Sequence, residues 1–375
     1  MKRVIAILFA CLLLTGCTSS PALSSDTVQE STVSEDVMEL HYADQFAVHY
    51  LADGCVAINI ADGQKFLLVP EHGQIPENTE NRVILQQPLK NLYVAASSAV
   101  DLFDGIGCLD SIHMISTKDW SLPAVQEALD NGKLQYIGKY SAPDYEQLLE
   151  NGCGLAVEST MIYHTPETKE QLEALGIPVL VERSSYESHP LGRMEWLRLY
   201  GLLLGKSAEA DAYFEEKTAG FREISAAQTM DGKRPTVAFF YISPNGYVNV
   251  RKPGDYISAM IEMAGGQYCL SAESLRVEEN ALSTMNIQME SFYALAKDAD
   301  ILIYNATVDG ELDTMEELLR KDAMLADFKA VQNGKVWCSE QDMFQQTTGA
   351  ADLLCDLHNI ITENGEPLSF LHRLR

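Results

Sequence analysis

Residues 191–227 read LGRMEWLRLYGLLLGKSAEADAYFEEKTAGFREISAA, a run of this length without a proline. Leu191, Met194, Leu197, Gly201 and Leu204 fall on one stripe at helical spacing, and Tyr213, Phe214 and Phe221 extend the apolar face. The stretch therefore reads as helix, with Gly205 expected to interrupt it by a turn or kink. It ends in the breaker-rich Asp231-Gly232-Lys233-Arg234-Pro235. What decides the fold is that the segments on either side keep a different rhythm.

Upstream, short apolar runs alternate with amphipathic ones. Ala47 to Ile60 and Lys65 to Val69 read as strands around the turn Asp62-Gly63. Leu92 to Ala96 is a strand, and Val100 to Leu109 a helix. Leu134 to Ile137 is a strand, Tyr145 to Glu150 a helix, Leu155 to Val157 a strand, Glu167 to Leu175 a helix and Pro178 to Val181 a strand. Downstream the alternation resumes. Thr236 to Tyr241, Ile301 to Tyr304 and Lys335 to Cys338 read as strands, and Asp255 to Ala264, Ser291 to Lys297, Met315 to Leu319 and Ala350 to Thr362 as helices. Strand, helix, strand in this order predicts parallel α/β sheets. The organisation is lobe, helix, lobe: residues 41–187, 188–230 and 231–375.

The N-terminus has its own grammar. Lys2 and Arg3 precede an apolar run from Val4 to Leu14, too short for the roughly 20 residues of a spanning helix. This is the shape of a secretory signal. Leu14-Thr15-Gly16-Cys17 resembles the bacterial lipobox, which implies cleavage before Cys17 and a diacylglycerol on its thiol. Acyl chains anchor a protein by burying methylenes. Residues 1–16 are thus expected to be a signal peptide, and 17–40 a lipidated cysteine with a tether. Thr18 to Asp36 is rich in Ser, Thr and acids and has little to bury.

The net charge of −27 excludes the basic surface that nucleic acid needs. Beyond Cys11 and Cys17 lie Cys55, Cys108, Cys153, Cys269, Cys338 and Cys355, with no C-x-x-C pair. They read as free buried thiols, although an extracytoplasmic location would permit disulfides. No dense His/Cys/Asp cluster marks a metal site. Gly205-Lys206-Ser207 mimics the end of a phosphate-binding loop, but Tyr200 stands where its first glycine would be. Gly105-Ile106-Gly107 finds Asp110 in place of a third glycine. No nucleophile elbow or zinc-protease motif occurs, so the chain reads as a binding protein rather than an enzyme. A lipid-anchored enzyme on a Rossmann-like frame, such as a hydrolase or chelate-processing enzyme, and a ligand-sensing lipoprotein are the alternatives.

Several segments, in order, resemble one family. They are Gly105-Ile106-Gly107-Cys108-Leu109-Asp110-Ser111-Ile112, Pro143-Asp144-Tyr145-Glu146-Gln147-Leu148-Leu149, Gly176-Ile177-Pro178-Val179 and Leu202-Leu203-Leu204-Gly205-Lys206. Next come Asp255-Tyr256-Ile257 with Ala264-Gly265-Gly266, Lys297-Asp298-Ala299-Asp300-Ile301-Leu302-Ile303 and Asn333-Gly334-Lys335-Val336. Over roughly Asn91 to Thr362 the chain is similar to the iron-siderophore and cobalamin class of substrate-binding lipoproteins that serve ABC importers. The resemblance implies an α/β fold of class III periplasmic-binding type: two Rossmann-like lobes, one long linking helix, and a ligand cleft between. It implies capture of an iron complex, or of a related metal chelate such as haem or cobalamin. The partners would be an ABC permease and its ATPase. The protein would be monomeric, carry no cofactor of its own, and be held on the extracytoplasmic face of the cell membrane through Cys17. In the family an acidic residue on each lobe docks the permease, and Glu146 and Glu290 stand at the matching places.

Ligands of α/β sheets bind beyond the C-terminal ends of the strands. That rule selects Ser98 (with Ser97), Trp120 (with Lys118), Met161, Tyr163 (with His164) and Arg183 in the first lobe. In the second it selects Tyr241, Asn245, Arg251, Tyr256 and Asn305, with Met343 and Phe344 nearby. Aromatic faces with polar tips and planar guanidinium forks suit a flat ligand with anionic edges. Tyr163-His164 could alternatively ligate haem iron.

Overall fold

The computed structural model describes residues 36–227, 234–281, 283–341 and 343–375; the lipobox, Cys17 and most of the tether lie outside them. The described chain opens with a mostly antiparallel sheet: β1 (Asp36–Val37), β2 (Phe46–Tyr50), β3 (Val56–Ile60) and β4 (Lys65–Val69), with β5 (Val83–Gln86) added parallel to β4. The stretch 47–60, expected as one strand, is a hairpin instead. Asp53 accepts the Cys55 N–H at 3.0 Å, and Gly54 takes φ +82° to turn the chain back. Asp36 and Val37, assigned by sequence to the tether, pair with Tyr50 and His49, and Met38 is buried.

Residues 41–45 fasten this sheet to the middle of the chain. The Glu195 carboxylate accepts the N–H groups of His41, Tyr42 and Ala43 at 2.8–2.9 Å, and that of Glu187 accepts those of Asp44 and Gln45 at 2.9 and 3.1 Å. Five successive amides thus cradle two carboxylates. Trp196 adds an indole N–H to Glu187 at 2.9 Å.

The first lobe comprises β6 (Leu92–Val94), α1 (Ser97–Gly105), β7 (Ile112–Ile115), α2 (Pro123–Asp130), β8 (Gln135–Tyr136), a small hairpin of β9 (Gly138–Lys139) and β10 (Ala142–Pro143), α3 (Tyr145–Glu150), β11 (Ala156–Ser159), α4 (Pro166–Ala174) and β12 (Val179–Glu182). Its sheet runs β12-β11-β6-β7-β8, all parallel. The chain winds outward from β6 in both directions, so the strand order switches between β6 and β11. Ligands of such sheets settle at that switch.

The linking segment is a pair of helices, α5 (Pro190–Leu203) and α6 (Ser207–Ala227). Gly205 at φ +70° is the interruption the sequence leads one to expect. They pack antiparallel: Gly201 lies against Ala210, Arg198 pairs with Asp211 at 2.7 Å, and His189 meets Phe221 with ring centroids 5.7 Å apart. Helix α6 is the long strut, about 30 Å at 1.5 Å per residue. Helix α5 is buried around most of its circumference.

The second lobe comprises β13 (Thr236–Ile242), β14 (Val248–Arg251), α7 (Tyr256–Met263), β15 (Gln267–Tyr268), α8 (Ala272–Leu275), β16 (Thr284–Ile287), α9 (Met289–Ala296), β17 (Ile301–Tyr304), α10 (Met315–Lys321), α11 (Lys329–Gln332), β18 (Val336–Ser339), α12 (Ala350–Thr362) and β19 (Leu371–Arg373). The sheet order is β16-β14-β13-β17-β18-β19, with β15 also on β13. Its centre, β13-β17-β18, is parallel, while β14, β16 and β19 are antiparallel additions. Asp356 of α12 ties β19 in place by accepting three backbone N–H groups, from Ser369, Phe370 and Leu371 at 2.6–3.1 Å. All six cysteines in the described residues are free, and burial pushes the Cys269 thiol up to about 12.

Candidate ligand cleft

The turn after β12 in the first lobe and α7 in the second both pack on α5. In the first lobe, β11 ends at Ser159, whose hydroxyl accepts the Met161 N–H at 3.3 Å and starts a single turn of 3-10 helix, Thr160–His164. That turn exposes Met161 and Tyr163, at 48 % and 45 %. The Tyr163 hydroxyl donates to the Asp62 carboxylate, and partial burial, then Asp62, pushes its phenol above the ordinary range. Arg183 lies just past β12. Its Nε donates to the Gln45 side-chain oxygen at 3.1 Å, and its guanidinium lies 4.4 Å from the Tyr186 ring centroid. Between these strands and α5 sits Glu182, fully buried. Burial raises its pKa, against the pull of the Ser184 N–H at 2.7 Å and the positive charges of Arg193 and Arg183.

The second lobe contributes Arg251 at the end of β14 and Tyr256 at the start of α7. Asp255 caps α7 by accepting the Ile257 N–H at 3.0 Å, and its other oxygen is 3.6 Å from Arg251. The Arg251 guanidinium lies 5.4 Å from the Phe239 ring and 5.8 Å from the Tyr256 ring. The Tyr256 ring is also covered by Arg193, at 4.0 Å. Arg193 belongs to the first turn of α5, so the rule of strand ends does not select it. Two guanidinium groups therefore share one aromatic ring where the second lobe meets the linking helix.

A small cavity of about 50 Å³ adjoins them, lined in part by Arg193, Tyr256, Met343, Phe344, Thr347 and Phe370. The segment that lines it also bonds to the first lobe. Gln345 accepts the Ser121 N–H at 2.9 Å and donates to the Asp119 carbonyl at 3.1 Å. Thr347 donates to the Ser98 carbonyl at 2.8 Å, and the Thr348 N–H to the buried Asp101 carboxylate at 2.6 Å. Among the described residues these hydrogen bonds tie the segment 345–348 of the second lobe to the first lobe.

Of the remaining candidates, Ser98 is half-buried and engaged through its carbonyl. Trp120 is buried, its indole N–H given to the Thr117 carbonyl at 3.0 Å, and Lys118 lies 4.5 Å from the Tyr136 ring. Tyr241 is half-buried on β13. Asn305 is buried, with its amide oxygen held by Thr307 at 2.8 Å. His164 and Asn245 are exposed, Met343 is buried and Phe344 is 44 % exposed. Glu146 and Glu290 are both exposed in the first turns of α3 and α9. The sequence carries no signal for Arg193, Gln345 or Asp62, because each acts through elements far away along the chain.

The sequence pattern of the periplasmic binding protein family matches residues 93–341. The chain belongs to that family. As a periplasmic binding protein it has the class III fold, with two sheet-containing lobes around a cleft. It is 24 % identical to an uncharacterised lipoprotein of Methanocaldococcus jannaschii, over 92 % of this chain and 89 % of that protein. A second uncharacterised lipoprotein of that organism is 24 % identical over 86 % of this chain and 83 % of its own length. Among solved structures, a periplasmic haem-binding protein from Pseudomonas aeruginosa superposes with TM-score 0.59 at 18 % identity, covering 76 % of this chain and 99 % of that one. IsdE of S. aureus complexed with haem gives TM-score 0.53 at 16 % identity, covering 72 % and 99 %. These identities speak for the fold alone. The family consists of extracytoplasmic substrate-binding proteins of ABC transporters. Among the described residues no helix is long and apolar enough to cross a membrane.

Proposed function

We propose that this periplasmic binding protein captures an iron complex, a siderophore-like chelate or a related metal chelate such as haem or cobalamin, and delivers it to an ABC permease. The supporting observation is the pair Arg193 and Arg251 around Tyr256, in a chain whose net charge is −27. Fixed positive charge beside an aromatic face, in so acidic a protein, fits a ligand with a flat apolar body and anionic edges. Solved proteins of the same fold are named as haem-binding, which favours this chemistry. In this reading the lobes part to admit the ligand, since the cavity beside Arg193, about 50 Å³, is far smaller than the roughly 300 Å³ of small-ligand sites.

In this reading Ser98, Trp120, Met161, Tyr163, Arg183, Tyr241 and Asn305 form the walls of the opened cleft. Glu146 and Glu290, one exposed carboxylate on each lobe, orient the protein on the permease. Residues 1–16 are removed, Cys17 carries the lipid, and the chain up to about residue 35 spaces the lobes from the membrane.

Native mass spectrometry of the purified protein, then tryptophan quenching with haemin, cobalamin and ferric chelates, tests the reading. One member of the panel is expected to bind at micromolar concentration or below. Arg251→Ala is expected to weaken it about tenfold or more, as loss of a charge-assisted contact does. A panel that binds no better than millimolar would sink the proposal.

A further inference from the structure

The N-terminal sheet precedes the residues that match the family, which begin at Tyr93. Its β3–β4 turn nevertheless reaches the first-lobe wall of the cleft. Gln64, just after that turn, clamps the outer strand of the first lobe through two bonds on its free edge: its amide oxygen accepts the Val181 N–H at 3.0 Å and its amide nitrogen donates to the Val181 carbonyl at 3.3 Å. The side chain thereby copies a strand pairing on the free edge of β12. Asp62 is locked in the same turn, accepting the Gln64 N–H at 3.1 Å, and its second oxygen takes the Tyr163 hydroxyl and the Gln64 side-chain amide, the latter at 2.8 Å. Gln45, at the start of β2, holds Arg183. The sheet therefore grips Tyr163 and Arg183, two of the polar residues that the strand-end rule assigns to this wall.

We propose that Asp62, Tyr163 and Arg183 form a composite subsite in which the N-terminal sheet supplies a fixed carboxylate that sets ligand selectivity. This rests on the chelate-binding reading proposed for the cleft. An incoming edge rich in carboxylates is drawn to Arg183 but meets the exposed Asp62, a like charge held in place by its turn. An edge that carries an ammonium group or other hydrogen-bond donors can take the Tyr163 hydroxyl's place on Asp62 and satisfy it. This end of the cleft therefore accepts neutral or cationic donor-bearing edges and disfavours acidic ones. The acidic edge of the ligand is left to Arg193 and Arg251 at the other wall.

The test compares two probes: ferric citrate, a carboxylate-rich anion, and a ferric trihydroxamate bearing a free ammonium group. Asp62→Asn removes the charge while an amide oxygen can still cap the turn. It is expected to shift the ratio of the two affinities toward citrate by about tenfold. Tyr163→Phe leaves the carboxylate in place with one donor fewer, its Gln64 contacts kept, and is expected to shift the ratio the opposite way. This second variant carries the test should Asp62→Asn lose its fold by circular dichroism. Unchanged ratios, or shifts of the same sign in both variants, would overturn the subsite while leaving chelate binding intact. Failure of the wild-type protein to bind any chelate of the panel would overturn both readings together.

Discussion

At the scale of single residues, the least comfortable group in the protein is the carboxyl of Glu158. It is fully buried on β11, and neither of its oxygens has a hydrogen-bond partner among the described residues. Desolvation pushes its pKa from 4.5 to about 8. The folded chain therefore holds a proton there that the unfolded chain releases near pH 4.5. Stability linked to this site is fully present below that pH and drains away as pH climbs towards 8, by an amount on the order of 4 kcal/mol. Glu158→Gln cannot ionise. The melting temperature of the variant, relative to wild type, is expected to rise between about pH 5 and about pH 8.5; a difference that stays flat with pH would show that Glu158 does not titrate in this range. Asp356 illustrates the opposite situation, since burial is answered by backbone N–H groups from Ser369, Phe370 and Leu371. Asp356→Ala strands those donors and is expected to cost about 3 kcal/mol in urea denaturation, with β19 the first strand to lose amide protection.

At the scale of elements, the turn between α5 and α6 decides whether the linking segment folds back or runs on. A Cβ on Gly201 would lie 2.5 Å from the Ala210 Cβ and 2.9 Å from the Lys206 carbonyl, whereas one on Gly205 meets nothing within 4 Å. Gly205→Ala is thus expected to cost only about 1 kcal/mol for its left-handed backbone. Gly201→Leu forces the helices apart and is expected to cost about 3 kcal/mol or more. Equal denaturation midpoints for the two variants would mean that the helices are not in contact. Elements with a strong period and clear stops are legible in the sequence: α3, β17 and α12 lie at the residues that periodicity and capping indicate. Strand β7, an inner strand of the first-lobe sheet, is not, because four residues interrupted by His113 are too short a run to read. Strands β14 and β16 escape for a related reason, being short and set in loops between stronger signals. Within the site, the strand-end rule finds Arg251 and Tyr256, which the fold brings together. It cannot find Arg193, which lies on a helix, nor Asp62, about a hundred residues upstream of the tyrosine it binds.

At the scale of the whole molecule, the closed contact between lobes is set by residues 345–348. Removing the Gln345 amide by Gln345→Ala deletes both of its bonds to the first lobe. The Ser121 amide, which donates to that side chain, is expected to exchange its hydrogen about tenfold faster, as the loss of roughly 1–2 kcal/mol of local protection implies. Unaltered exchange at Ser121 would mean that the lobes are held by something else. The grip of Glu187 and Glu195 on residues 41–45 bears on how such a protein would hang from a surface. A pull applied at Asp36 would first strain the β1–β2 pairing and then this five-amide clasp, which hands it to α5. Because α5 packs against elements of both lobes, such a load would be shared between them rather than borne by one sheet.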